Sequence, residues 1–566
     1  MKRTAYVFIA CLVLLGGTGV RSQGAMESLV PADTRAFLRS APVGTVVNSV
    51  NTFLNTGMTA KQRQDFLKDI LQFKKDTGIN PLSVSSLRKT GIDTSLPFGF
   101  AFVKGKPGPE KMMVLLPVLN SKRFPLKFIQ ILKKTKKGKK KKDIYPVITR
   151  YKNNRIYQVQ KDMFCAAIGS YFIMTSQGAM VRQAIDRSES GGSSLSTLNE
   201  YSSFTGKVNP KADFALYMNK VFLGEAFGKI QQGFMRRKQP HSPYNRRRGM
   251  NENSGSIIPA QYGGTRHYRG TPRYRGTPYG MREQRGPSPM EAVDYASMTL
   301  TLGRSKVVFS LGAQLNNSNP LFTALLDILK TGMGSFSLYS NSSFVYGHAA
   351  LDLQKLDKLC PGPLPICGQY QKTKMELKRE MGIDYNRDVL PAIRGSANVI
   401  MDTMNMTDMV IFVPYKSAAR GRALFARVKR TMAKNMKRQK RYGSTAVGGK
   451  RGFWILDKQN KKMYAVQDNR GIYISNNVTS LKKALRYRTI AQSRGRSTLL
   501  KKLSGNVFLM AFVKKNPFVG GLLASKAPKK EMKEMSSSIG DIYVTGSKAD
   551  NFLNIELDVT IKPSGR

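Results

Sequence analysis

Acidic residues are scarce in this chain: 35 Asp and Glu stand against 93 Lys and Arg, a formal net charge of +58. Such a balance repels itself in the compact state and attracts polyanions. Histidine is nearly missing, with His241, His267 and His348 the whole supply. Two of the three fall in a segment without apolar periodicity, which leaves little from which to build a Ser-His-Asp triad. Four cysteines without a Cys-x-x-Cys spacing do not make a zinc pattern, and no metal or cofactor is expected. There is no Gly-x-Ser-x-Gly nucleophile elbow and no phosphate-cradling glycine loop. Asp457 and Asp468 flank a hairpin and read as solvated turn carboxylates rather than an acid/base pair. Beyond the N-terminus no apolar run is long enough for a transmembrane helix. The expectation is a non-enzymatic chain without a transmembrane span after processing.

What is present begins with a leader. Lys2 and Arg3 precede the apolar run 6–15, and small residues and Val20-Arg21-Ser22 follow. A basic start, a short apolar centre and a small-residue cleavage point describe a secretory signal peptide over residues 1–22. The chain is therefore expected in the periplasm, on the cell surface or secreted. Cys11 sits in a faint lipoprotein-like box, but the apolar run continues past it and argues against lipidation. In an oxidising compartment Cys360 and Cys367, bracketing a Pro-rich loop, are expected to form a disulfide, and Cys165, inside the apolar run 163–168, a buried thiol.

The sequence then says nearly the same thing twice. Ser170-Tyr171-Phe172-Ile173-Met174-Thr175-Ser176 and Arg470-Gly471-Ile472-Tyr473-Ile474-Ser475-Asn476 each read as a strand and polar turn leading into a helix. Lys74-Lys75-Asp76-Thr77-Gly78-Ile79-Asn80 matches Lys378-Arg379-Glu380-Met381-Gly382-Ile383-Asp384, a helix stop with glycine after basic residues. Each half closes on a hairpin of alternating residues, one turning at 303–306 and the other expected to turn at 546–548. The fold class is α+β: two tandem copies of a mainly antiparallel sheet with helices on one face. Unit 1 covers 27–332 and unit 2 covers 334–562. Residues 231–290 form an Arg/Tyr/Gly/Pro-rich insertion in unit 1 that is expected to be disordered.

The Val30-Pro31-Ala32-Asp33-Thr34 opening, the Gly-Ile-Asn/Asp helix exits and the repeated strand–turn–helix resemble a family of exported bacterial proteins catalogued only as a domain of unknown function. The resemblance implies an envelope or secreted location and brings no catalytic residues. The long basic insertions depart from that family's pattern.

The positive charge is clustered. After the matched prolines Pro117 and Pro414, each half carries a helix that becomes strongly basic. In the second, Leu424, Phe425, Val428, Met432 and Met436 make an apolar face, while Arg427, Lys429, Arg430, Lys434, Lys437, Arg438, Lys440 and Arg441 lie on a stretch that no acid interrupts. In the first, Phe128, Ile129 and Leu132 are followed by Lys133, Lys134, Lys136, Lys137, Lys139, Lys140, Lys141 and Lys142. The insertion adds Arg246, Arg247, Arg248, Arg269 and Arg275 interleaved with tyrosine, a pattern that pairs with phosphate or sulfate and stacks on bases or sugars. These residues are the candidate polyanion-binding set. The expected partner is an anionic polymer or surface: lipopolysaccharide, acidic polysaccharide, extracellular nucleic acid or an anionic membrane. The competing readings are an assembly factor that holds another envelope protein and an unrecognised polysaccharide-acting enzyme.

Overall fold

The computed structural model describes residues 26–58, 60–103, 111–135, 146–226, 292–316, 320–331, 338–339, 343–360, 365–402, 408–436, 441–457, 459–489, 507–513 and 539–561. Residues 1–22, expected as a signal peptide, and residues 231–290, expected as a disordered insertion, lie outside them. So do Lys136, Lys137, Lys139, Lys140, Lys141, Lys142, Arg246, Arg247, Arg248, Arg269, Arg275, Lys437, Arg438 and Lys440.

Short runs rich in Val, Ile, Phe and Tyr form the strands, as expected where side chains must pack on a pleated surface. In the first half these are β1 (Thr34–Pro42), β2 (Pro97–Val103), β3 (Lys111–Pro117), β4 (Val147–Tyr151), β5 (Asn154–Gln160), β6 (Met163–Ile168), β7 (Tyr171–Thr175), β8 (Phe214–Asn219), β9 (Val293–Leu302) and β10 (Lys306–Leu315). In the second they are β11 (Val345–Ala350), β12 (Ser396–Met401), β13 (Met409–Pro414), β14 (Tyr442–Val447), β15 (Lys450–Leu456), β16 (Lys462–Gln467), β17 (Gly471–Ser475), β18 (Val507–Val513), β19 (Ile539–Ala549) and β20 (Phe552–Ile561).

All of these belong to one 20-stranded sheet. Followed from edge to edge, its order is β4-β5-β6-β7-β3-β2-β1-β8-β9-β10-β20-β19-β18-β11-β12-β13-β17-β16-β15-β14, and every neighbouring pair is antiparallel. The order reads the same from either end once the second ten strands are matched to the first ten. Thus β3 pairs with β7 from Met113↔Thr175 to Pro117↔Tyr171, and β13 pairs with β17 from Val410↔Ser475 to Pro414↔Gly471. The halves join through β10 and β20, paired from Lys306↔Thr560 to Gln314↔Phe552. At the middle of that seam Ser310 faces Glu556. Each holds the same place in its own hairpin, so the seam is a local two-fold perpendicular to the sheet. Such an axis does not exchange the two faces.

The helices are α1 (Val43–Thr56), α2 (Ala60–Thr77), α3 (Val84–Thr90), α4 (Phe124–Thr135), α5 (Gly178–Ser190) and α6 (Asn199–Lys207), then α7 (Pro320–Ile328), α8 (Leu353–Leu359), α9 (Pro365–Met381), α10 (Ala418–Met436) and α11 (Val478–Ala484). The matched stops behave as expected: Gly78 follows α2 with φ 76° and Gly382 follows α9 with φ 63°, a left-handed turn that glycine enters without steric cost.

Two expectations are corrected. Helices cover both faces of the sheet, not one. On the face carrying Phe172 (the front), α1, α3 and α4 pack Val43, Val47, Leu87, Phe124 and Ile129 over Phe98, Leu116 and Phe172. On the back, α5 and α6 pack Met180, Val181, Ala184, Tyr201 and Phe204 over Phe37, Leu115, Ile173 and Tyr217. The reason is legible in Met113-Val114-Leu115-Leu116 and Tyr171-Phe172-Ile173, which are apolar on successive residues and so demand cover on both sides. The second correction concerns the last hairpin. β19 runs on through Gly546, Ser547 and Lys548, and the turn falls after Ala549, at Asp550 with φ 50°. Gly546 sits in the ladder because a Cβ there would lie 2.9 Å from the Phe508 ring.

Candidate functional site

Helix α4 begins on an Asx turn, where Asn120 Oδ1 accepts from the N–H groups of Lys122 and Arg123 at 3.0 and 2.9 Å. Its apolar side is aromatic: Phe124 and Phe128 place their rings 5.1 and 5.0 Å from that of Phe172. Ile129 is buried beside them and Leu132 half-buried. Lys127 donates from Nζ to the carbonyl of Lys89 at 3.1 Å, tying α4 to the end of α3. Lys122, Arg123, Lys127 and Lys133 are exposed, and Lys134 occupies the next helical position.

Helix α10 holds the corresponding place in the second half. Leu424 and Val428 pack toward Ile383 and Val389, and Phe425 and Met432 toward Phe453, Ile472 and Ile474. Gly421 is required by a close approach, since a Cβ there would lie 2.3 Å from the Tyr415 ring. Thr431 and Asn435 donate to the carbonyls of Met381 and Glu380, both at 3.1 Å, and satisfy acceptors that the end of α9 leaves open.

Not every basic residue of the candidate set is spent on the surface. Arg427 Nη1 lies 2.5 Å from Asp388 Oδ2. Partial burial works against that carboxylate, but hydrogen bonds from Arg387 and the Asp384 N–H, with the charge of Arg427, hold it below the usual range. Arg441 donates from Nη2 to the carbonyls of Leu456 and Asp457 at 3.1 and 2.7 Å, pinning the β14–β15 ends. Both arginines are half-buried. Of the rest, Lys429 is half-buried, Arg430 and Lys434 are exposed, and Arg420 and Arg422 extend the same exposed side. Arg422 donates to Asn469 Oδ1 at 3.0 Å.

Because α4 packs on Phe172 and α10 on Ile472 and Ile474, the register decides whether they share a face. Directly opposed residues of an antiparallel pair point to the same side. Phe172 opposes Leu116, and further along the same alternation Phe100 opposes Leu38, then Leu216, Met298, Leu311, Ile555, Gly546 and Leu509 follow. Ala349 and Ala397 lead on to Ile411, which opposes Ile474. Both basic helices therefore lie over the front of one sheet. Thirteen strand steps separate β7 from β17, about 60 Å along the sheet at the usual strand spacing.

The cysteines and turn carboxylates have structural places. Cys360 and Cys367 are joined, with Cα atoms 4.8 Å apart, where α8 meets α9. Cys165 is buried, and burial pushes its thiol up to about 12, which keeps it un-ionised and unreactive at neutral pH. Asp457 Oδ1 accepts from the N–H groups of Gln459 and Lys461, and Asp468 accepts from Arg470, Gly471 and Tyr473. Trp454 stands across from Gly443 on β14, with Lys462 Nζ 4.7 Å from its ring centre. Sequence reasoning missed Lys374, held between the Tyr370 and Tyr385 rings and paired with Asp357. No short motif signals that cluster, because it joins three separate elements. Among the described residues no three His, Cys, Asp or Glu side chains gather as a metal site, and no helix is long and apolar enough to cross a membrane.

Comparisons with known proteins add little beyond the family. No curated protein matches the chain. Crystal form III of TP0453 is similar with a TM-score of 0.25 and 9% identity, over 56% of this chain and 90% of that one. Crystal form I of TP0453 gives 0.24 and 10%, over 53% and 82%. Residues 54–247, within the first half, match the model of a family described as Protein of unknown function (DUF3352), so the resemblance read from the sequence is to a family catalogued as a domain of unknown function.

Proposed function

We propose that this is an exported, non-catalytic protein that binds or scaffolds anionic polymers or surfaces. One observation carries the reading: α4 and α10 hold corresponding places in the two halves, lie over the same face of one sheet, and expose cations on stretches without an intervening acid. Two basic surfaces about 60 Å apart along a shared sheet suit a long or repeating anion, for which a second contact adds avidity without a new kind of site. Each contact releases counterions, so affinity falls steeply with salt.

The test is a salt-titrated binding panel with double-stranded DNA, RNA, lipopolysaccharide, anionic liposomes and an acidic polysaccharide. A chain lacking 231–290 is run beside the full one. Binding that weakens tenfold or more between about 50 and 300 mM salt supports the reading. Flat affinity over that range overturns it, and a stoichiometric protein partner retained at high salt favours an assembly role instead.

A further inference from the structure

We propose that the front of the sheet docks on an anionic lipid bilayer; this deepens the polyanion reading and rests on it. Charge alone does not distinguish a bilayer from a soluble polymer, but the placement of exposed apolar side chains does. Seven large hydrophobics on the strands are exposed among the described residues, and the register puts six of them on the front: Met112, Ile148, Leu311, Met409, Met463 and Ile555. Only Val147, on the edge strand β4, faces the back. Leu311 and Ile555 oppose each other at the seam between the halves and are 40% and 46% exposed. Met112 and Met409 hold matching places on β3 and β13.

The helices that cover this face repeat the pattern. Leu71 on α2 and Met375 on α9 stand the same distance before their stop glycines and are 60% and 64% exposed. Lys74 and Lys75 accompany the first beside Asp76, and Lys378 and Arg379 the second beside Glu376 and Glu380, all exposed, with Arg379 paired to Glu380. An exposed apolar side chain with cations close by, repeated in each half on the sheet face that bears α4 or α10, gives each half its own patch that matches an interface anionic at its surface and apolar beneath. A second copy of this chain would bring its own +58 against the first. A soluble polysaccharide or nucleic acid would satisfy the cations and leave the apolar groups in water.

The experiment is vesicle flotation of the chain from residue 23 onward, without the expected signal peptide, with phosphatidylcholine alone and with phosphatidylcholine–phosphatidylglycerol mixtures, alongside binding to soluble dextran sulfate. The variants are Leu71→Gln with Met375→Gln, Leu311→Gln with Ile555→Gln, and Arg430→Gln with Lys434→Gln. All six positions are exposed, and circular dichroism and thermal melting of each variant check that the fold is retained. The expected result is flotation with the anionic mixture only, a loss of about tenfold in each apolar pair with dextran sulfate binding unchanged, and a loss on both ligands in the charge pair. Apolar pairs that float like the parent chain overturn bilayer docking while leaving the polyanion reading standing. A parent chain that binds neither vesicles nor dextran sulfate overturns both.

Discussion

Helices α4 and α10 occupy the same place in two halves of one sheet, yet they are held there differently. α4 rests on Phe124 and Phe128, which stack on each other and meet Phe172 edge-on and tilted respectively. α10 rests on Leu424 and Phe425, on the Asp388–Arg427 pair and on two hydrogen bonds to the end of α9. What the two share is an outward, acid-free, basic surface. Had the cations served packing, the partners that hold them would be expected to recur with them. They do not: α10 has its Asp388, while α4 fastens Lys127 to a backbone carbonyl. The common element is therefore the charge presented to solvent, and the anchoring beneath it is local.

The contrast can be broken most forcefully in the core. Phe172→Ala, at a fully buried ring with two aromatic partners, is expected to destabilise the chain by about 3–5 kcal/mol. Ile472→Ala at the corresponding place under α10 should cost less, about 2–3 kcal/mol, because that residue is half-buried. Chemical denaturation of both variants measures the difference, and equal losses would remove the distinction.

A second asymmetry is acid sensitivity. His348 on β11 is buried, its Nδ1 3.2 Å from Asn398 Nδ2, and burial lowers its pKa to about 4. The matching place in β1 holds Arg39, which pairs with Glu27. A lowered histidine pKa means that protonation favours the unfolded chain. The stability from keeping this imidazole neutral is thus present above pH 6.5 and is lost as pH falls toward 4, about 3 kcal/mol in all. His348→Gln should flatten that part of the stability–pH curve, and an unchanged slope would count against it.

Smaller effects sharpen the comparison at the helices themselves. Asp388→Asn, which has no counterpart under α4, should cost about 1 kcal/mol, since Arg427 is partly exposed and its pairing partly screened. Arg430→Gln with Lys434→Gln should change stability by less than about 0.5 kcal/mol while weakening anion binding, the mark of residues that face solvent rather than the fold.

Much of this architecture was legible in the sequence, and the losses have physical reasons. The matched strands at 171–175 and 471–475 and the stop glycines Gly78 and Gly382 fell where the sequence placed them, because each depends on residues close in the chain. Cover on both faces was written in Leu115-Leu116 and Tyr171-Phe172, but short apolar runs do not say which layer they meet. The β10–β20 seam was not legible, since it joins residues 306–314 to 552–560 through pairing that no local pattern encodes. Nor was the loss of Arg427 and Arg441 to internal partners, because only the fold brings Asp388 and the Leu456 carbonyl to them.

The central claim is that the exposed cations of α10 contact anions in their own right. Salt-dependent binding to double-stranded DNA, used as a calibrated polyanion, tests it most directly when the parent chain is compared with Arg420→Gln/Arg430→Gln/Lys434→Gln. The account predicts that the slope of log affinity against log salt falls by about 2–3 in the variant, close to one for each phosphate contact removed. An unchanged slope and affinity would contradict it.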